Sequence, residues 1–141
     1  MDAELTQLVR DRVARCNEGD WAAVRDLTGA GFAYCEAGTG GRIDDVDDVI
    51  AALARLRSAD PESRIDVVRV LGDGPLTVAE LVWSVTLGQR RLRLADRMWA
   101  RWEDGKLAAE WHEAGVLALV GPLVERDLVA HRTGAAPIAP D

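Results

Sequence analysis

Apolar positions recur at helical spacing in the first sixty residues of the chain. The first stripe runs from Leu5 to Cys16, with charged residues on its opposite side. Asp20 can cap a short second helix by accepting a backbone N–H, and a third stripe ends before Pro61, because the residue before a proline avoids helical dihedrals. The pattern predicts helices over residues 3–17 and 21–27, and a third from position 44 or 45 up to Pro61.

Strand-like segments separated by turn residues fill most of the remaining chain. Asp104-Gly105 is a strong signal for a two-residue hairpin turn, because both positions take φ > 0, and Gly88-Gln89 suits another tight turn. The predicted strands cover residues 32–36, 64–71, 76–87, 91–103 and 106–114. The apolar segment 116–131 is predicted as a helix that breaks or kinks at Gly121-Pro122.

The order of these elements predicts an α+β fold. Helices come first and a meander of long antiparallel strands follows, so the helices should cover one face of a curved sheet. The other face is then left for a partner. A chain of 141 residues fits one domain, which we expect over residues 1–133, with 134–141 as a loose tail.

Composition and charge exclude several classes of protein. The net charge of −7 argues against a nucleic-acid partner, which would need a clustered basic face. The acidic N-terminus is followed by no apolar run, so we expect neither a signal peptide nor a membrane span, and a cytoplasmic location. Cys16 and Cys35 have no metal-binding spacing and are expected to be free thiols. The pairs Asp44-Asp45 and Asp47-Asp48 indicate a helix start and not a metal site.

Strict alternation along the last hairpin divides its side chains into a polar and an apolar face. If Glu103 pairs with Lys106 across the turn, cross-strand partners share a face. One face then carries Arg97, Trp99, Arg101, Ala108, Glu110 and His112. The other carries Met98, Ala100, Trp102, Leu107, Ala109 and Trp111. Hydrophobicity alone would bury the second face.

Four short cues make the chain similar to a known superfamily over about residues 4–120. They are Asn17-Glu18-Gly19-Asp20-Trp21, Glu36-Ala37-Gly38, the glycine loop before the third helix, and Glu103-Asp104-Gly105-Lys106-Leu107. The chain resembles the nuclear transport factor 2-like superfamily, and within it the SnoaL-like polyketide cyclases. Ketosteroid isomerases and limonene epoxide hydrolases are related branches. The resemblance implies a cone-shaped, curved antiparallel sheet wrapped around the N-terminal helices.

The resemblance also implies where functional residues should lie. The seventh residue after the turn glycine is often a cavity-facing Asp in the cyclase and epoxide hydrolase branches, and here it is His112. The hydrolase branch keeps an acid on the strand equivalent to 76–87, where Glu80 is the one ionisable residue, with Val78 in place of an expected Arg. These two departures weaken the case for epoxide opening by a pair of aspartates.

The family pattern points the polar face of the hairpin into the cavity, against plain hydrophobicity. One solution is that the apolar face packs on a second subunit, as in the sheet-to-sheet dimers of this superfamily. We therefore expect a homodimer through the sheet, and a cone lined by the polar face and closed by the helices.

The expected site combines proton-transfer groups with an apolar wall. His112 is the candidate acid or base, Glu110 orients it, and Glu80 is a second proton-transfer group. Tyr34 or Arg97 could stabilise a developing enolate oxygen. The expected wall residues for an apolar ligand are Phe32, Trp83 and Trp99.

Each of these residues also has a purely structural interpretation. His112 could be a surface or interface histidine paired to Glu110 or Glu113, and Glu80 could lie at a solvated edge. Tyr34 could be a core tyrosine, and the tryptophans ordinary core or interface residues.

The leading functional hypothesis is a cofactor-free cyclase or isomerase of secondary metabolism, such as antibiotic biosynthesis. It would act on an apolar, polyketide-like small molecule in the cone, either by acid/base catalysis or by shape-controlled pericyclic ring closure. The alternatives are a non-catalytic ligand-binding or dimeric interaction module, and an epoxide hydrolase. No metal is expected.

Overall fold

The computed structural model describes residues 3–38, 40–87 and 89–114. These ranges contain three helices and six strands in this order: α1 (Ala3–Glu18), α2 (Trp21–Asp26), β1 (Thr28–Glu36), β2 (Gly41–Ile43), α3 (Val46–Ala59), β3 (Arg64–Asp73), β4 (Leu76–Leu87), β5 (Arg90–Glu103) and β6 (Lys106–His112). The predicted helix at 116–131, the tail at 134–141 and the domain boundary at 133 lie outside the described residues.

The strands form one curved, unclosed sheet in the order β2-β1-β6-β5-β4-β3. All neighbours are antiparallel except β1 and β6, which run parallel. Because β1 comes early in the chain and β6 late, their pairing brings the first strand beside the last described one. The α+β class and the cone-like arrangement of a curved sheet around N-terminal helices are confirmed.

Helix starts follow the capping chemistry expected from the sequence. Asp20 caps α2 by accepting a hydrogen bond from the backbone N–H of Ala23, and Asp45 caps α3 in the same way through Asp47. The turn at Asp104-Gly105 has φ values of 51° and 73°, as the predicted two-residue hairpin requires.

Two strand boundaries differ from the predictions. β1 begins at Thr28, four residues before the predicted start at position 32, because its first residues pair with β6 instead of ending α2. A Cβ at Gly29 would lie 3.3 Å from the carbonyl oxygen of Leu107, so glycine allows this close approach. The short strand β2 was predicted as loop and pairs with the end of β1.

A β-bulge at Ala108 removes the conflict between the two faces of the last hairpin. Arg101 pairs with Ala109 and Trp102 with Leu107, so Ala108 has no partner on β5. Strict alternation therefore fails within β6, and Leu107 is buried together with Glu110 and His112. On β5 the buried residues are Met98, Ala100 and Trp102.

The prediction that the whole polar face of the hairpin lines the interior is therefore wrong. Only its β6 members, Glu110 and His112, face inwards with the apolar residues of β5. The rest of the predicted polar face that lies on β5 faces outwards. The extra residue Ala108 shifts the side-chain alternation along β6. The residues of β6 near His112 therefore follow the family-based expectation, whereas β5 buries the residues that hydrophobicity alone predicts.

Helix α1 is attached to the sheet by a side-chain clamp at its C-terminal end. The amide of Asn17 donates to the carbonyl of Ile65 and accepts from the N–H of Ile65, both at 2.8 Å. At the end of α3, Asp60 accepts from the backbone N–H of Thr86 at 2.6 Å. These contacts fix both helices over the mouth of the curved sheet.

Within the described ranges, no helix is long and apolar enough to cross a lipid bilayer.

The Asn17 clamp gives a test of how the helices are held. Asn17→Ala removes the hydrogen-bond partners of both the backbone N–H and the carbonyl of Ile65 on β3. We therefore expect a loss of about 1–3 kcal/mol in the free energy of unfolding, measured by urea denaturation. The matched control is Gln7→Ala, which removes an exposed amide contact to Asp11 and should change stability by less than about 0.5 kcal/mol. Equal effects of the two substitutions would show that the clamp does not fix α1.

Candidate active site

A cluster of buried polar side chains surrounds Asp96, which lies on the inward face of β5. Its Oδ2 lies 2.5 Å from Nδ1 of His112 and accepts from the indole N–H of Trp83 at 3.2 Å. Its Oδ1 accepts the backbone N–H of Ala114 at 3.1 Å. Three donors, two of them from the end of β6 and the residues after it and one from β4, therefore fix this carboxylate in one orientation.

His112 lies between two carboxylates. Nδ1 contacts Asp96, and Nε2 lies 3.2 Å from Oε2 of Glu110. The same Glu110 oxygen lies 3.5 Å from Nη1 of Arg12, which comes from α1. The result is a continuous buried chain of four ionisable groups, Asp96–His112–Glu110–Arg12, in which the imidazole is only 3% exposed.

Burial and the contacts with neighbouring ionisable groups have opposite effects on the pKa values of His112, Asp96 and Glu110. Burial by itself lowers the pKa of His112, but the hydrogen bonds to Asp96 and Glu110 raise it to about 9, so the ring is an imidazolium at neutral pH. Burial by itself raises the pKa of Asp96, and the contacts with His112 outweigh it and hold that pKa below its usual value. For Glu110 the opposing influence is Arg12 first and His112 second, and its pKa is also lowered.

Tyr34 covers one side of the imidazolium. Its ring centroid lies 4.8 Å from that of His112, and its hydroxyl donates to Oε2 of Glu36 at 2.5 Å. Burial, reinforced by the hydrogen bond to Glu36, raises the pKa of the phenol far above its usual value. Tyr34 is therefore a neutral hydrogen-bond donor whose proton is held by the neighbouring carboxyl group.

Trp83 connects the polar cluster to a groove that opens between the helices and the sheet. Its ring lies edge-on to His112 at 6.3 Å, while its indole N–H holds Asp96. The groove has a cavity volume of about 20 Å³, and Trp83, Cys16, Leu53 and Ile65 line it together with polar side chains such as Asn17. Trp83 is both a wall residue of the groove and a hydrogen-bond partner of Asp96, so it lies between the groove and the ionisable groups.

The structure brings together five of the eight residues proposed from the sequence. His112, Glu110 and Tyr34 are in direct contact with the cluster as described, and Trp83 forms its wall. Phe32 is buried beside it, with the guanidinium of Arg12 5.9 Å above its ring. Their proximity was predicted, and their catalytic or binding roles stay predictions.

The other three candidates lie on the outer face of the sheet, and their predicted place in the cavity is wrong. Glu80 alternates with the buried Ala79 and Leu81 on β4 and forms a salt bridge with Arg69 at 2.8 Å. Arg97 pairs with Glu113 at 3.2 Å, and Trp99 is 46% exposed. Glu80 is partly solvated, as its alternative interpretation stated, but it lies on an internal strand and not at an edge of the sheet.

Sequence reasoning missed two members of the cluster, Asp96 and Arg12. Asp96 shares its strand parity with Met98, Ala100 and Trp102, so a carboxylate on an otherwise apolar face was the available signal. Arg12 falls within the apolar stripe of α1, between the buried residues Val9 and Cys16. Both are charged residues at positions where the pattern calls for apolar ones.

The described ranges contain no group of three histidine, cysteine or acidic side chains placed to hold a metal ion.

The raised pKa of His112 predicts how stability depends on pH. A pKa of about 9 in the folded protein, against 6.5 ordinarily, means that folding favours the protonated ring. The resulting stabilisation is fully present below pH 6.5 and is lost as pH rises through about 9. We expect the wild-type free energy of unfolding to fall by up to about 3 kcal/mol across this window.

The matched control for this titration is His112→Gln, which keeps a polar side chain but cannot titrate. Its free energy of unfolding, measured by urea denaturation at each pH, should be flatter across the same window. Parallel curves for the two proteins would show that His112 is not held as an imidazolium.

The arrangement can be compared with known proteins. Residues 7–121 match the family model described as SnoaL-like polyketide cyclase. A search among curated proteins found no match.

Three solved structures show the same fold at low sequence identity. Bal32a, from a soil-derived mobile gene cassette, has a TM-score of 0.72 and 15% identity, covering 82% of this chain and 92% of its own. IdmH, a candidate polyketide cyclase from Streptomyces antibioticus, has a TM-score of 0.71 and 16% identity, covering 84% and 96%. AclR, a candidate hydroxylase from Streptomyces galilaeus, has a TM-score of 0.70 and 15% identity, covering 87% and 97%.

The matched family model spans most of the chain, and the solved structures agree with it in overall fold. The chain therefore belongs to the SnoaL-like polyketide cyclase family.

Proposed function

We propose that this protein is a cyclase or isomerase that uses its own side chains to move protons on an apolar, polyketide-like substrate. The observation that carries the proposal is the buried imidazolium of His112 between Asp96 and Glu110, beside an apolar groove. An ion triplet that costs desolvation energy in a small core is expected where its proton does chemical work.

The two contacts of His112 differ in a way that favours proton donation from one nitrogen. Nδ1 is held at 2.5 Å by an Asp96 carboxylate that three donors fix in place. Nε2 makes the longer contact, 3.2 Å, to Glu110. A substrate carbonyl oxygen can therefore replace Glu110 at Nε2, while Asp96 keeps the ring in its orientation.

A ring closure by this route conserves every proton. Glu110 removes a proton from a carbon between two carbonyl groups, and that carbon forms a bond to a second carbonyl carbon of the same chain. The π-electron pair of the attacked carbonyl moves to its oxygen, which receives the Nε2 proton of His112. The proton on Glu110 then returns to Nε2, because the two atoms are hydrogen-bond neighbours in the resting site.

The aromatic surroundings support a second candidate, shape-controlled pericyclic closure without proton transfer. Tyr34 and Trp83 both contact the space around His112, and rigid aromatic walls can hold a reactive chain in a folded conformation. In this case a change of wall shape at Trp83 would slow turnover more than loss of the imidazole. The outward position of Glu80 removes the support that it lent to epoxide hydrolysis.

The decisive experiment compares His112→Gln with wild type on a linear poly-β-ketone with an aryl end group. Ring formation is followed by ultraviolet absorption and by mass spectrometry, above the rate in buffer alone. If His112 transfers the proton, its loss should cost roughly 10²–10⁴-fold in kcat, because general acid catalysis contributes on that scale.

The matched control is Glu80→Gln, which removes a carboxylate from the outer face and should leave kcat near the wild-type value. Near wild-type turnover in His112→Gln with a severe loss in Trp83→Phe would support shape control instead. Saturable binding with no turnover in any variant would support the non-catalytic alternative and would contradict the proposal.

We also propose that the outer face of the sheet forms a homodimer. Four apolar side chains stand in register across the strands β6, β5, β4 and β3: Trp111, Trp99, Val78 and Leu71. Trp99 and Trp111 are 46% and 39% exposed, and a contiguous apolar row of this kind is typical of an interaction surface.

A neighbouring row of charges makes this face complementary to a second copy of itself. The row consists of Arg69 on β3, Glu80 on β4, Arg97 on β5 and Glu113 after the end of β6, so the sign of the charge alternates along it. A two-fold axis parallel to the strands, between β4 and β5, places each arginine opposite a glutamate of the second copy. An axis along the row places like charges opposite each other, so the first arrangement is favoured.

The dimer is tested by sedimentation velocity on Trp99→Glu. A charge in the centre of the apolar row should convert the dimer to monomer at micromolar concentration. Gln7→Glu adds the same charge to an exposed position on α1 and should stay dimeric. A monomeric wild type, or a dimeric Trp99→Glu, would contradict the proposed interface.

The orientation is tested with a short bifunctional thiol cross-linker in a Cys35→Ser background. A mixture of Arg69→Cys and Glu113→Cys chains should cross-link between the two variants, because packed sheets lie about 10 Å apart and these two ends of the charged row face each other. Cross-linking of either variant with itself would instead support the axis along the row.

A further inference from the structure

Arg12 has hydrogen-bonding capacity that the protein does not use. Its side chain enters the core from α1, lies over the ring of Phe32, and is 6% exposed. Its one described polar contact is from Nη1 to Glu110, at a long 3.5 Å. Within the described residues, its Nε and Nη2 atoms are buried and have no hydrogen-bond partner.

The two unused donors form a geometrically defined pair. Nε–H and Nη2–H lie along one edge of the planar guanidinium and point in the same direction, which is the edge that binds two oxygens at once. An arginine does not lose its proton on burial, so the group stays a charged donor. Buried polar groups in native proteins are nearly always paired, and this pair has the form of a binding site for a ligand with two acceptor oxygens.

The charges around Arg12 define the class of ligand. Arg12 and His112 are cationic, and Glu110 and Asp96 are anionic, so the four-group chain is electrically balanced without a ligand. A carboxylate would add an uncompensated charge to this buried chain. Two neutral carbonyl oxygens in one plane fit the fork without that cost, and they gain electron density when a proton leaves the carbon between them.

Arg12 lies about one turn of α1 away from the residues that line the groove. Cys16 follows Arg12 by four residues, so the two side chains share a face of α1, and Cys16 lines the groove. Glu110, which we assign as the proton acceptor, contacts the opposite edge of the same guanidinium. A dicarbonyl held by the free edge would turn its two oxygens towards the guanidinium and its central carbon away from it, on the side opposite Glu110.

We propose that Arg12 binds the two oxygens of a planar 1,3-dicarbonyl unit of the substrate through Nε and Nη2, and so fixes the position of the substrate chain in the site. This inference rests on the proposed function for the polyketide-like substrate. It concerns recognition, however, and can be tested by binding alone.

The experiment measures equilibrium binding of three phenyl ketone and acid probes by tryptophan fluorescence. They are 1-phenylbutane-1,3-dione with two carbonyls, 1-phenylbutan-1-one with one, and 3-phenylpropanoate with a carboxylate. Wild type should bind the dione at least about tenfold more tightly than either other probe, because only the dione offers two neutral oxygens to the fork.

Arg12→Lys keeps the positive charge and removes the fork, so it should reduce the preference for the dione over the monoketone by about tenfold. Arg15→Lys, one turn along α1, is the matched control and should leave the preference unchanged. Thermal unfolding of each variant separates loss of the site from loss of the fold. An unchanged preference in a folded Arg12→Lys would overturn the inference, and tighter binding of the carboxylate by wild type would overturn the ligand class.

A second readout needs no variant. The ultraviolet spectrum of the dione distinguishes its enol from its enolate, and binding to the fork should lower the pH at which the bound dione becomes an enolate. An unshifted transition would contradict the inference. His112→Gln distinguishes this inference from the proposed function. Loss of turnover with a retained preference for the dione would support both. A retained preference with unchanged turnover would support the recognition role of Arg12 and contradict the role of His112 as the acid.

Discussion

The hydrogen bond between His112 and Asp96 is the interaction on which the rest of the site depends. It holds the imidazole in its orientation and supports its positive charge inside an apolar core. That charge in turn stabilises the ionised form of Glu110, whose second partner is Arg12. Removal of Asp96 would therefore leave a buried cation with one partner and would weaken every further link of the chain.

The site combines early and late parts of the sequence because β1 and β6 pair in parallel. This pairing places Tyr34 and Glu36 beside Glu110 and His112, while the β5–β6 hairpin brings Asp96 from the other side. The helices add Arg12 and cover the mouth of the curved sheet. The family fold thus supplies a frame in which four elements, β1, β5, β6 and α1, contribute one or two polar groups each.

Much of the fold could be predicted from local patterns. The helix cap at Asp20, the helix start at Asp45 and the turn at Asp104-Gly105 depend on neighbouring residues alone, and they formed as expected. The strand β2 was missed because its three residues pair only with the distant end of β1. Short elements of this kind depend on tertiary pairing and leave little local signal.

The candidate site was harder to predict, and the reason lies in strand parity. Glu80 seemed buried because both faces of β4 are rich in apolar residues, so hydrophobicity did not distinguish inside from outside. On the last hairpin, the bulge at Ala108 changed the parity between the turn and His112. The β6 residues were therefore correctly placed inside, while the β5 residues Arg97 and Trp99 were not.

The parallel pairing of β1 with β6 also determines when the site can form during synthesis of the protein. Tyr34 and Arg12 leave the ribosome long before Glu110 and His112, so the early half of the chain cannot complete the charge network by itself. Contacts of such wide sequence separation have a high loop-closure cost and slow the folding of a domain. The nascent chain must therefore hold its helices and first strand without the buried ion pairs until the final hairpin emerges, and the same groups that define the site are the last to find their partners.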